Sequence, residues 1–545
     1  MKIPALLITG ICLLLACSGC AAAGSAKKVQ ENGPMIKIGW GKRSIAREGN
    51  VFIAGQMSIR IAQETYTPVL ASALAVENNG DAAVFVSLDM VSITPDLAKQ
   101  VRELAAKEIK DLPAEKIVMS ATHTHAGPSD RDLIECPHSF DIISGKKMRN
   151  FLSRQIVDAV KDAWNGRKNG AIAYGYGLAA TGHSRRATYL DDIGKRAGHQ
   201  PGYAVNGHAK MYGKTDDPMF AGYENGTDPF VNLLYTFDEN GKLTGAVINV
   251  PCPSQTNEGA WSMHASFWHN VREKLAAKYG DIGVIGQSAA AGDLAPRQLH
   301  YLEAEKRRYR LKYADKIAAY KPMKMPLDPG DTPERRKHRE SELIELLRAE
   351  DIANRIVEAF DEVLSWAEKE KSPTAVVRHE IKTVDLDARM FPADVAAEER
   401  ETYKKFCAQK FIRDGEPYNA LIHNSRLASL SKRSKNVIER FENQANSRTT
   451  KAQIHAVRIG DVAFVTSRFE LFMDFMHRIQ GRSPFIQTFI IQLAGDENSG
   501  GSYLATERAI ANKGYSASPY CNDVSAEGGQ QLVEETLKML EEMKK

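Results

Sequence analysis

Two histidines two residues apart, His123 and His125 in the stretch SATHTHAGP, are the first residues of this chain whose type and spacing could do chemistry. Residues i and i+2 of a strand project from one face, so both imidazoles can enter one pocket at a strand end, a common way of presenting nitrogen to zinc. Two histidines making ordinary hydrogen bonds fit the same pattern. Asp293, in GQSAAAGDLAP, and Glu470, in FELF, each fall at a predicted strand end or just beyond it. A zinc hydrolase needs such a set: three or four protein ligands, an open position for water, and a group that orients the water. An aspartate after glycine is equally a turn residue. His183, Arg185 and Arg186, in TGHSRRATY, supply a histidine and adjacent guanidiniums that suit a carboxylate, sulfate or phosphate on a substrate, or else surface ion pairs.

These residues need elements to position them. The apolar run DAAVFVSLDMVSI reads as a buried strand ending near Asp89; Thr94-Pro95 then opens a helix to about Ile109, and KIVMSATHTH is a second strand. Strand, helix, strand is a parallel crossover, which brings Asp89 and the histidines to one sheet edge, where open α/β sheets bind ligands. The same grammar recurs in GAVINVPCPSQT, WSMHASFWHNVREKLAAKYG and IGVIGQSAAAGD, so Cys252 falls on that edge too. Residues of about 300–370 form a charged helical insertion, with KPMKMPLDPGDTPERRKHRE as an exposed loop and an amphipathic helix after it. AQIHAVRIGDVAFVT is a hairpin turning at Gly460-Asp461; SRFELFMDFMHRIQ starts a helix with Glu470 in its first turn, and FIQTFIIQLAG is one more buried strand. Trp261, Trp268 and Trp366 fall on predicted helices as core residues. The expected fold is α/β: a mixed, partly parallel sheet flanked by helices.

SATHTHAGP, GQSAAAGDLAP and FELF, in this order and spacing, resemble the neutral ceramidases, zinc amidases that cleave the N-acyl bond of ceramides. GHSRR and VPCPSQT point to a divergent branch found in exported bacterial proteins. The resemblance spans most of residues 36–540 and implies a ceramidase catalytic-domain-like fold and one zinc ion per chain. It implies His123 and Glu470 as zinc ligands, with Tyr503 of NSGGSYLATE as a further one, and His125 facing the substrate. Two positions depart from the family. Cys252 stands where a second zinc-binding histidine is expected, either as a thiolate ligand or as a small buried side chain. Ala295 stands where the family has a catalytic serine, so attack by a serine at that position is closed and metal-hydroxide attack remains, with Asp293 orienting His123 or the water. The β-sandwich into which ceramidases continue is expected to be absent, since the chain ends in the amphipathic EGGQQLVEETLKMLEEMKK.

The bulk numbers are those of an ordinary globular protein long enough for a large core or two domains. The 545 residues are 43% hydrophobic and 26% charged, and 72 Lys plus Arg stand against 68 Asp plus Glu, so nothing speaks for a nucleic-acid partner. Residues 1–20 read as a signal segment with a lipoprotein box, Cys17 or Cys20 carrying the lipid anchor, and 21–35 as a flexible tether; the anchor is the only membrane contact expected. Cys136, Cys252, Cys407 and Cys521 form no disulfide framework. The chain therefore reads as a zinc-dependent hydrolase of the outer cell surface or periplasm, acting on a lipid amide or a related bond. Two alternatives stand: an enzyme of acidic glycans, with the arginine loop gripping the sugar, and a binding protein that has lost catalysis. Oligomeric state is not encoded in any motif.

Overall fold

The computed structural model describes residues 33–198, 207–324 and 332–545. The signal segment, Cys17, Cys20 and the tether as far as residue 32 lie outside the described residues.

The larger of two main sheets runs in the order Gly283–Ser288, Leu243–Val250, Phe230–Asp238, Lys168–Leu178, Lys37–Ser44, Leu70–Asn78, Asp81–Leu88, Ile117–Ala121. The outermost pair at each end is parallel, because each is joined by a crossover helix, Phe267–Tyr279 at one end and Pro95–Glu108 at the other; the pairs between are antiparallel. The helix Pro95–Glu108 starts where Thr94 accepts a hydrogen bond from the Leu97 amide, with proline in its first turn. The two ends of the sheet approach each other. The Ser87 hydroxyl donates to Gly286 O at 2.6 Å, and Arg272 of one crossover helix pairs with both oxygens of Asp89, which follows the last but one strand of the opposite end, at 2.7 and 3.1 Å. Both carboxyl-terminal strand ends, and the loops that leave them, thereby converge.

A second sheet, Val377–Asp387, Thr449–Ile459, Val462–Thr466 and Gln487–Ile491, packs against the first. Phe85, Val118, Leu234, Val247 and Ile285 of the large sheet meet Val457, Phe464, Phe489 and Ile491 of the small one, with Phe464 stacked on Phe489 at 4.2 Å between centroids. Each such fully buried phenylalanine contributes about 2–3 kcal/mol of transfer free energy. Helices Pro95–Glu108, Gly145–Asn165, Phe267–Tyr279 and Pro333–Ala367 cover the outer face of the large sheet, and Met473–Gln480 with Ala526–Lys544 that of the small one. The layers are helix, sheet, sheet, helix.

The mixed, partly parallel sheet flanked by helices is the one read from the sequence; the second sheet is the addition. Several local expectations differ. Glu470 is not helical: Glu470–Leu471 is a short strand paired with Tyr503–Leu504, because its amide donates to Ser502 O at 2.8 Å and that of Phe472 to Leu504 O, and the helix begins at Met473. The stretch from Pro333 onward, expected as loop, starts a helix of 35 residues capped by Thr332. Only this start differs: the later part of the helix is the amphipathic segment read from the sequence, burying Ile356, Phe360 and Val363 on the sheet. Trp261 precedes its helix, and Trp366 is 41% exposed.

Candidate functional site

The strand Ile117–Ala121 ends before the His-Thr-His segment, so strand alternation does not bring the imidazoles together. His123 itself does so: its φ of +66° is left-handed, a region where histidine is enriched among non-glycine residues, and the chain folds back there. The two rings meet edge to face with centroids 4.9 Å apart and Nε2 atoms 3.4 Å apart. Since a carbonyl can only accept, the 2.7 Å contact of His123 Nδ1 with Val91 O places the ring proton on Nδ1. The Nε2 lone pair therefore faces Glu470 Oε2 at 3.3 Å.

Glu470 is held by close backbone packing. A Cβ on Gly292 would lie 2.3 Å from Glu470 O, so only glycine permits the approach of the GQSAAAGD loop, and Gly292 N–H donates to Leu471 O at 2.8 Å. Burial pushes the Glu470 carboxyl up, but His123, Arg185 and the Tyr503 hydroxyl together bring it below its ordinary value. Arg185 donates to Gly292 O at 2.7 Å and to Tyr503 Oη at 3.0 Å, and its Nη2 lies 3.8 Å from Glu470 Oε2. His125 accepts from Gln255 Nε2 at 2.8 Å, while its Nδ1 faces Glu258 Oε2 at 3.6 Å. Burial first, then the neighbouring His123, Arg60, Arg185 and Arg131, hold the His125 imidazole well below its usual pKa, so it is neutral. Gly55, at φ +110°, lies under this ring, where a Cβ would be 2.5 Å from His125 Cγ. These groups open on a cavity of about 500 Å³, within the usual range for small-molecule sites.

His123, His125, Arg185, Glu470 and Tyr503, drawn from four distant parts of the sequence, thus share one cavity. Other residues singled out from the sequence lie elsewhere. Cys252 is fully buried and its thiol donates to Thr181 O at 3.2 Å; the Pro-Cys-Pro turn points it into the core under the helix Phe267–Tyr279, away from His123. Burial pushes that thiol up, opposite to what a thiolate needs. Asp293 is buried beneath the site, accepting from the Met473 amide at 3.1 Å and from the Asn225 amide group, with its carboxyl pushed up to about 6 by burial; it braces the chain after Glu470 and does not touch His123. His183 pairs with Ala295 across a two-stranded ladder. Arg186 is fully buried in a two-pronged pair with Glu224. Ala295 lines a smaller cavity of about 220 Å³ next door, together with Gln255, Glu258 and Tyr212. Gln255, Glu258, Arg131 and Arg433 were not found from the sequence, although QTNEG directly follows the Pro-Cys-Pro turn on the converging edge.

Among the described residues no three His, Cys, Asp or Glu side chains are arranged to hold a metal ion. A narrower set does fit a zinc ion. The His123 Nε2 lone pair and a Glu470 carboxylate oxygen are both acceptors, and at 3.3 Å they repel unless a proton or a cation stands between them. That separation matches the edge of a tetrahedron with metal–ligand distances of about 2.0–2.1 Å. The Tyr503 hydroxyl lies beside them, hydrogen-bonded to Glu470 and accepting from Arg185, and burial pushes it well above its ordinary value, so only the neutral hydroxyl is available there.

No protein-family model matches the chain. Over 240 residues it is 26% identical to a neutral ceramidase of Pseudomonas aeruginosa, an alignment covering 42% of this chain and 31% of that protein. The crystal structure of neutral ceramidase from Pseudomonas aeruginosa superposes with a TM-score of 0.57 at 16% identity, over 93% of this chain and 75% of that one. A ceramidase complexed with C2 gives 0.55 at 17% identity, over 94% and 76%.

Proposed function

We propose, from the premise that this chain is a divergent relative of the neutral ceramidases, that it is a zinc-dependent hydrolase of N-acyl bonds. One observation carries the reading: the unprotonated edge of His123 faces the Glu470 carboxylate on the floor of a cavity that Arg185 and Tyr503 also line. His123, Glu470 and Tyr503 would hold the metal, which when bound supplies a Lewis acid and lowers the pKa of water toward neutrality. The Val91 carbonyl fixes the His123 ring so that Nε2 is free to coordinate. Arg185, anchored on Gly292 O, aims its charge at the oxygen of a bound acyl group. His125 enters as a neutral imidazole, and its Nε2 lone pair, once the Gln255 N–H gives way to the attacking water, is where a proton is taken and passed to the leaving amine. Glu258 faces the other ring nitrogen and supports the charge that appears there. Alanine at position 295 leaves no role for a serine there.

The N-terminal signature supports export with a lipid anchor at Cys17 or Cys20. Among the described residues no helix is long and apolar enough to cross a membrane.

The test is zinc content and amide hydrolysis of protein purified without its signal segment. About one zinc per wild-type chain is expected, with loss in His123→Ala and Glu470→Gln, and a fall in hydrolysis of 100-fold or more, the scale set by losing a metal or a charge-stabilising group. Absence of zinc from wild type after incubation with the metal rejects the metal-dependent reading.

A further inference from the structure

The charge of the cavity does not suit a neutral lipid amide. Arg131, Arg185, Arg426 and Arg433 line it, against the carboxylates of Glu258 and Glu470. Arg185 answers Glu470. Arg131 donates to the Ser92 hydroxyl at 2.7 Å, and Arg433 reaches the sulfurs of Met57 at 3.2 Å and Cys521 at 3.8 Å; among the described residues neither forms an ion pair with a carboxylate. Sulfur is a weak acceptor, so the Arg433 N–H groups have no hydrogen-bond partner of matching strength among the described residues, the Glu399 carboxyl acting on its charge without an ion-pair contact. The half-buried guanidinium is nonetheless fixed, with its carbon 5.1 Å from the ring centre of Tyr515 and 4.6 Å from that of Tyr520. It projects from the helix Pro417–Asn443, whose residues 426, 430 and 433 share one face and all line the cavity. Arg185 adds a fully buried Nε with no acceptor among the described residues. A rigid guanidinium held on aromatic faces, with weak acceptors only, is a receptor for an oxyanion.

We infer that this cavity takes an N-acylated compound bearing a carboxylate near its amide, the carboxylate being received by Arg433 and Arg131 while the acyl group lies at His123, Glu470 and Tyr503. Which end reacts rests on the hydrolase reading above; the preference for an anion does not. The shared chemistry, an acyl amide beside a carboxylate, occurs both in N-acyl amino acids and in acidic N-acylated sugars.

The experiment titrates full-length protein, lacking only its signal segment, with N-lauroylglycine and with N-acetylmuramate, each beside its methyl ester, following binding by calorimetry and amide hydrolysis by amine release. At least about tenfold tighter binding of one acid over its ester is expected, the worth of a charge-assisted hydrogen bond. Which acid shows the preference identifies an acyl amino acid or an acidic sugar. Arg433→Gln and Arg131→Gln should bring the acid-to-ester ratio toward one, while Arg433→Lys, which retains the charge but not the stacked guanidinium fork, should keep only part of it. Preference for the acid without hydrolysis upholds the anion site and counts against the hydrolase. Hydrolysis with equal binding of acid and ester overturns the anion site and leaves the hydrolase standing. Failure to bind either acid, or an unchanged ratio in a folded Arg433→Gln, also overturns it.

Discussion

At the scale of single residues, the position of the Glu470 carboxylate depends on a neighbour that has no side chain. Gly292 lets the backbone of its loop pass against Glu470 O at a distance no Cβ tolerates. Gly292→Ala should therefore push the Glu470 strand outward and destabilise the fold by about 1–3 kcal/mol, the usual cost of overpacking. Zinc retention and hydrolysis should fall together with the urea midpoint; an alanine variant with wild-type midpoint and activity would show that the strand can yield. The cavity's histidines and carboxylate were partly legible in the sequence, because histidine pairs, a glutamate in FELF and a glycine loop are rare enough to stand out. Gln255, Glu258 and Arg433 were not, since a glutamine, a glutamate and an arginine in polar segments look like solvated surface until the fold buries them. Cys252 shows the converse: its position suggested a ligand, and its buried thiol bonded to Thr181 O shows a core residue.

At the scale of elements, the site depends on the crossover that carries the histidines. Thr94 caps the helix Pro95–Glu108 through Leu97 and also bonds Asp130, a buried aspartate in the loop just after His125 that Arg149 holds from another helix. One hydroxyl thus joins a helix start to the histidine loop. Thr94→Ala should cost about 1–2 kcal/mol for the cap and somewhat more for the buried Asp130 carboxylate, whose Oδ2 loses the hydroxyl and keeps only Arg149. Chemical denaturation should show the loss and hydrogen exchange should rise at residues 122–131; Thr94→Ser should restore both. The helix Pro417–Asn443 lends three residues to the cavity wall although its sequence reads as a generic charged helix. Its functional face is defined only by what it packs against: Tyr418 and Leu421 bind it to Ile59 and Ile61, and this turns residues 426, 430 and 433 inward.

At the scale of the whole molecule, the two sheets meet through an apolar core that includes buried polar contacts, one of them built on a histidine pair. His379 of the small sheet donates from Nδ1 to Ala82 O of the large one at 3.3 Å, and its Nε2 accepts from His455 Nδ1 at 3.0 Å. Burial first, then nearby Lys116 and Arg102, lowers the His379 pKa to about 4, and His455 is held well below its ordinary value. Both rings are neutral in the folded protein, whereas in the unfolded chain they take up protons near pH 6.5. The unfolded state therefore binds more protons in this window, so stability is complete above about pH 6.5 and falls as the pH drops toward 4. For His379 alone the loss is on the order of 3 kcal/mol. Melting temperatures between pH 4.5 and 7.5 should show it, and His379→Gln should flatten part of the slope while lowering stability at pH 7. An equal slope in that variant would assign the acid sensitivity to other groups.

Sequence alone determined the crossover from Asp81 to Ala121, the helix cap at Thr94, the hairpin at Gly460-Asp461 and the family resemblance, because each is written in short-range periodicity, in turn chemistry or in a motif. It also supplied five of the cavity's side chains, His123, His125, Arg185, Glu470 and Tyr503, as types suited to metal, acyl or anion chemistry. Only tertiary structure decided that the strands form two stacked sheets, because a strand's pattern says which face is buried and not against what. The same holds for Glu470, extended and not helical because the carbonyls that accept its own and the Phe472 N–H belong to residues 502 and 504, more than 30 positions away. Whether an arginine is a surface charge or a receptor, and whether a cysteine faces a metal or the core, depends on long-range packing that no local window contains.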